Sequence, residues 1–106
     1  MYTRLSENET YYCNECEIYF KSEDACDQKW KCNKCSSPLL ISSDKQHYYN
    51  RIQVSNLTVG MIVRHNGTHR KILGISTDKD SSKLKLALSE YRALAFSKDE
   101  YLNILF

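Results

Sequence analysis

The clearest order in the chain is a period-two alternation of apolar and polar residues in its second half. In "KLKLALS", Leu84, Leu86 and Leu88 fall on one face and Lys83 and Lys85 on the other, the pattern of a half-buried β-strand. "YRALAFS" alternates likewise, with Leu94 and Phe96 together, and "RIQVSNL" does so through Ile52 and Val54 to Leu57. Between them lie "VGMIVRH" and "RKILGIST", joined by Asn66-Gly67, a dipeptide suited to the positive φ angles of a two-residue hairpin turn. "DKDSS" reads as a polar turn, "KDE" as a single 3-10 turn, and "YLNILF" as a closing strand. The competing reading is a helix over "LALSEYRALAF", whose Leu86, Glu90 and Ala93 are helix formers.

The first half is organised by cysteines. "CNECEIYFKSEDACDQKWKCNKC" holds all five cysteines of the chain, four of them in two Cys-x-x-Cys pairs, Cys13/Cys16 and Cys32/Cys35. Fifteen residues separate Cys16 from Cys32, a spacing that matches a structural zinc site. Each Cys-x-x-Cys turn aims two sulfurs at one point, and two turns on a folded-back hairpin make a tetrahedron of thiolates. One Zn2+ bound by Cys13, Cys16, Cys32 and Cys35 is therefore the expectation. Sulfur ligands alone do not separate zinc from iron, and disulfides or a redox pair are the remaining alternatives. Four thiolates leave no open coordination position, which argues against a catalytic metal. Cys26 reads as a small hydrophobe or a free thiol, and Trp30 as a packing residue beside the metal.

On these residues the segment resembles a zinc ribbon over residues 10–42. "YYC" leads into the first turn, "EIYFK" is strand-like, "KWKCNKC" leads into the second turn, and "LLI" supplies a third strand. Many ribbons carry glycine after each pair; here Glu17 and Ser36 stand there. Residues 55–106 resemble an SH3-like small barrel, and "LTVGMIVRHNGTHRKILGI" is similar to the opening hairpin of KOW-type and Tudor-type barrels. The expected architecture is mainly β: a zinc ribbon over residues 1–43, a linker over 44–50, and a five-stranded SH3-like barrel over 51–106.

Charge divides along the same line. Residues 1–44 carry five Lys/Arg against eight acids, and residues 45–106 carry ten against five. A zinc–tetrathiolate site would make the first half more acidic by two further charges. No apolar run approaches the roughly 20 residues of a membrane helix, and "MYTRLSENETYY" lacks a signal-peptide core. The reading is a cytoplasmic protein, in a compartment that favours metal over disulfides.

No glycine-rich phosphate loop and no nucleophile–base pairing stands out, and so small a chain leaves little room for a ligand pocket; no enzymatic activity and no small-molecule substrate are expected. The candidate contact residues surround the hairpin turn, where Arg64, His65, His69, Arg70 and Lys71 would form a basic knob for phosphates. Tyr91, with Arg92 beside it, and Tyr101 would add stacking surfaces for unpaired bases. The expected function is a zinc-binding accessory protein that contacts nucleic acid, or a nucleic-acid-processing complex, through Arg64, Arg70, Lys71, Tyr91 and Arg92. The alternative is a protein-binding adaptor or inhibitor, such as a mobile-element or phage regulator of a host complex. It would dock through the acidic ribbon and a tyrosine-rich surface.

Overall fold

A computed structural model describes residues 2, 4, 5 and 8–106. The described chain is mainly β and antiparallel, with one short helix and one 3-10 turn. It divides into two compact units: Arg4–Arg51 together with Phe106, and Ile52–Leu105, which Tyr2 joins through a bridge to Tyr101.

The first unit contains strands β1 (Thr10–Cys13), β2 (Ile18–Phe20) and β3 (Leu40–Ser42), the start of β4 (Tyr49–Gln53), and helix α1 (Ser22–Asp27). β1 is the centre, paired with β2 through Tyr12 and Tyr19 and with β3 through Tyr12 and Leu40. Alternation along β1 buries Tyr11 and Cys13 on one face and turns Thr10 and Tyr12 to the other. Helix α1 falls between the cysteine pairs, in a segment without a helical apolar period. It ends in a Schellman-type cap: Trp30 N–H bonds to Ala25 O and Lys29 N–H to Cys26 O. Lys29 and Trp30 both take positive φ, and the cap lays Trp30 over Ala25, both buried. Trp30 is thus a packing residue, as the sequence reading holds. Tyr49 and Asn50, assigned to the linker, are in β4, and Tyr49 is buried.

The second unit contains β5 (Ile62–His65), β6 (Thr68–Thr77), β7 (Lys83–Leu88), β8 (Leu94–Ser97) and β9 (Tyr101–Leu105), in the order β9-β5-β6-β7-β8. The helix alternative for residues 86–96 fails, because Leu84, Leu86 and Leu88 do point inward, with Leu84 opposite Phe96 and Leu86 opposite Leu94. Eight residues, Val54, Leu57, Val63, Ile72, Leu86, Leu88, Leu102 and Ile104, form a continuous apolar core. The strand expected over residues 51–57 stops at Gln53. Val54–Asn56 is a 3-10 turn that buries Val54 and Leu57, so the apolar spacing there is that of a turn. "KDE" is a tight turn closed by Glu100 N–H to Ser97 O.

Candidate metal centre and aromatic face

The two cysteine pairs converge. The sulfurs of Cys13, Cys16, Cys32 and Cys35 all lie within 4.8 Å of one another, with Cys13 to Cys35 at 3.5 Å and Cys16 to Cys32 at 3.8 Å. A tetrahedral site with metal–sulfur bonds of about 2.3 Å has sulfurs about 3.8 Å apart, so the four can hold a metal ion. Backbone amides support them, Cys16 N–H reaching Cys13 Sγ and Lys34 N–H reaching Cys32 Sγ, both at 3.4 Å. Cys26 is exposed on α1, outside the cluster.

The residues after each pair explain how this happens without glycine. Glu17 and Ser36 have φ of 55° and 62°. Both adopt the left-handed conformation that glycine takes at little cost and other residues at roughly 1–2 kcal/mol.

Without a cation the four sulfurs cannot all ionise. Hydrogen bonds from the hydroxyl and backbone N–H of Ser37 draw the Cys35 thiol down to about 6. Sharing a proton with Cys35, together with burial, pushes the Cys16 thiol up to about 12. A divalent cation removes this conflict by replacing the shared protons.

A second feature of the unit escaped the sequence reading. Glu9 and Arg51 have no exposed side-chain surface and form a bidentate ion pair. Glu9 also accepts from Tyr11 Oη (2.7 Å) and Leu5 N–H (2.6 Å), and Arg4 lies 3.5 Å away. The Arg51 guanidinium sits 5.1 Å from the centre of the Trp30 ring. Burial works to raise the Glu9 pKa, but the hydrogen bonds from Arg51, Leu5 and Tyr11 outweigh it and hold the carboxyl below its usual range. Counted as an acid of the ribbon surface, Glu9 is instead an interior group. Over residues 4–51 seven cations stand against eight acids, so the unit is nearer neutral than the first 44 residues suggested.

The face of β1 opposite the cysteines is open and aromatic. Tyr19, Tyr12 and Leu40 stand side by side across β2, β1 and β3, the two tyrosine rings 4.7 Å apart. With Tyr48, Lys45 and Phe106 they border a groove of about 620 Å³. Tyr19 is 73% exposed and Phe106 74%. Partial burial, then the Glu17 carboxylate and Tyr19, push the Tyr12 phenol up. The sequence left little room for a ligand pocket, yet this groove falls within the roughly 300–1,000 Å³ of ligand sites. The signal was present as Tyr12 and Tyr19 flanking the first cysteine pair, but their shared face needs the strand register to be visible.

The hairpin residues do not form one knob. Asn66 and Gly67 make the turn, with φ of 50° and 77°. Arg64 pairs with His69 and Val63 with Arg70. Opposed residues share a face, so Arg70 and His65 lie on the side of buried Val63 and Ile72, while Arg64, His69 and Lys71 lie on the other. Arg70 is committed within the unit: its Nη1 donates to Ser89 O and Glu90 O, both at 3.0 Å, and its guanidinium lies 4.4 Å from the Tyr91 ring centre. His65 and Arg92 approach the same ring at 5.7 and 5.9 Å. The structure thus gathers Arg70, Tyr91 and Arg92, and separates Arg64 and Lys71 from them. Tyr101, also expected as a stacking surface, is half-buried in β9 and bridged to Tyr2.

Fold and site together define a mainly β chain with a four-cysteine centre that can hold a metal ion. The chain matches no protein-family model, no curated protein and no solved structure. Among the described residues no helix is long and apolar enough to cross a membrane.

Proposed function

We propose that this protein is a non-catalytic accessory module: a zinc ribbon and an SH3-like barrel, with one structural Zn2+ on Cys13, Cys16, Cys32 and Cys35, that docks on a protein partner. The observation that carries this reading is the row Tyr19–Tyr12–Leu40, open on the face of β1 opposite buried Tyr11 and Cys13. Aromatic residues exposed in a groove are what protein interfaces draw their binding energy from. Four thiolates around the metal supply rigidity and no reactive position.

Contact with nucleic acid through the barrel is the second reading. It is favoured by the Tyr91–Arg92 pair on the barrel surface and by eight Lys/Arg against five acids over residues 52–105. Because Arg70 holds the turn over residues 89–92, Arg70→Ala would report on folding; Lys71→Glu with Arg92→Glu is the sharper probe.

Native mass spectrometry of the chain purified from its own cells separates the two. A stoichiometric protein partner and one zinc, with the partner lost in Tyr19→Ala/Tyr48→Ala and kept in Lys71→Glu/Arg92→Glu, supports the docking module. A salt-released nucleic acid lost in the second variant and kept in the first replaces it with the second reading.

A further inference from the structure

Resting on the docking reading above, we infer that the groove over β2, β1 and β3 takes an extended, proline-bearing peptide segment with a basic residue at the end nearest Glu15 and Glu17. The geometry first argues against a strand laid on this face, edge pairing being open only along the outer side of β2. β1 is hydrogen-bonded on both sides, to β2 and to β3, so the face offers a ligand no backbone ladder. A partner there must bring a backbone that needs none, which is the property of a polyproline II segment.

The spacing also matches. Neighbouring strands are about 4.8 Å apart, which puts Tyr19 and Leu40 about 10 Å from each other with Tyr12 between. One turn of polyproline II advances about 9 Å in three residues. Residues i and i+3 of such a segment therefore fall over the two ends of the row, against aromatic and aliphatic surface, as in other aromatic-lined grooves that take this conformation. The Asn14 amide, at the edge of the groove and of the smaller hollow beside it, is placed to serve the solvated carbonyls of such a ligand.

Charge selects between a peptide and a nucleic acid strand, both of which stack on tyrosines. Lys45 is the one cation among the groove's lining residues. Against it stand Glu15, which borders the adjoining hollow, Glu17 beside Tyr12, and the four-cysteine cluster that includes Cys13 next to Tyr12 in β1, which would keep a net −2 around a divalent ion. A chain of phosphates is repelled there, and a Lys or Arg side chain is attracted.

The test is a random 12-residue peptide display library, panned on the full zinc-loaded chain and counter-selected on Tyr12→Ser/Tyr19→Ser. The expected winners carry two prolines three residues apart and a Lys or Arg to one side. A winning peptide, labelled and titrated, should bind at least tenfold more weakly to Tyr19→Ala, and severalfold more weakly to Glu15→Gln/Glu17→Gln. Zinc content and amide spectrum of each variant show that it is folded. Winners without proline, winners rich in acids, no enrichment over the counter-selecting variant, or a (dT)12 oligonucleotide that displaces the peptide each overturn the inference. A natural partner that needs Tyr19 and Tyr48 while no proline peptide binds would overturn this inference alone and leave the docking reading standing.

Discussion

The unit of residues 52–105 encloses eight buried apolar residues in one continuous cluster. The unit with the four-cysteine cluster encloses Tyr11, Ala25, Trp30, Leu39, Ile41 and Tyr49, and shares that interior with Cys13, Cys32 and the Glu9–Arg51 pair, while Cys16 is half-buried and Cys35 exposed. Small domains bury too little apolar surface to fold on that term alone. The first unit thus adds to a smaller apolar interior a four-cysteine cluster that can hold a metal ion and a buried charge pair, whereas the second rests on hydrophobic packing. The contrast teaches that stability of this chain is two separate quantities, each addressed by a different perturbation.

The largest expected effect comes from the metal. Structural zinc in zinc-finger peptides contributes about 10–16 kcal/mol of binding energy that is also folding energy. Cys32→Ser, or excess chelator, should disperse the first unit while residues 52–105 keep theirs. The measurement is a 1H–15N spectrum, with the near-ultraviolet signal of Trp30 as a second probe. Loss of the resonances of residues 52–105 along with the rest, or a first unit that stays ordered without metal, would break the comparison.

Next is the buried ion pair. Glu9→Gln leaves Arg51 buried without its counter-charge, and breaking such a pair costs about 3–5 kcal/mol. Replacing both, as Glu9→Leu with Arg51→Met, should recover most of that. The folded Glu9 carboxyl titrates below its usual value. Its contribution is therefore complete above an unfolded pKa of about 4.3 and is lost as pH falls through the depressed folded value. The gap between the wild type and Glu9→Gln in urea unfolding should close only in acid, and metal release, common to both, cancels in that difference. A gap that widens on acidification contradicts the assignment.

In the second unit, Leu86→Ala empties a fully buried site. Such truncations cost about 2–5 kcal/mol. Hydrogen exchange should rise across β5 to β9 and stay unchanged near the cysteines. Equal acceleration in both units would mean that one cooperative core serves the whole chain.

The two units also differ in how much of each could be read from sequence. In the second unit, alternation in "KLKLALS" and "YRALAFS" and the Asn66-Gly67 turn located two strands and a hairpin, because burial there follows a period of two. It misled only at Val54 and Leu57, whose spacing suits a 3-10 turn as well as a strand. In the first unit the spacing of Cys13, Cys16, Cys32 and Cys35 pointed at once to the cluster that can hold a metal ion. The rest was hidden, since Glu9 and Arg51 are 42 residues apart and no local pattern marks them as partners. The aromatic face was hidden for a related reason: Tyr12, Tyr19 and Leu40 become neighbours only through strand register. The hairpin charges failed in the opposite way. Their closeness along the chain suggested one patch, and alternation sends Arg64 and Arg70 to opposite faces.

The smallest effect tests the turns that carry the sulfurs. Glu17 and Ser36 hold a backbone conformation that costs a non-glycine residue roughly 1–2 kcal/mol. Glycine removes that cost and adds about 0.5–1 kcal/mol of chain entropy lost on folding. Glu17→Gly and Ser36→Gly should therefore each stabilise the first unit, by no more than about 1.5 kcal/mol, read as a higher chelator concentration at half-loss of metal. The two then part company on the opposite face of the sheet. Glu17→Gly removes a carboxylate beside Tyr12 and should weaken a basic peptide severalfold, while Ser36→Gly, which changes no charge, should leave peptide affinity as it is. Equal peptide affinity in both variants would show that the acidic rim plays no part in recognition, even with the turns behaving as expected.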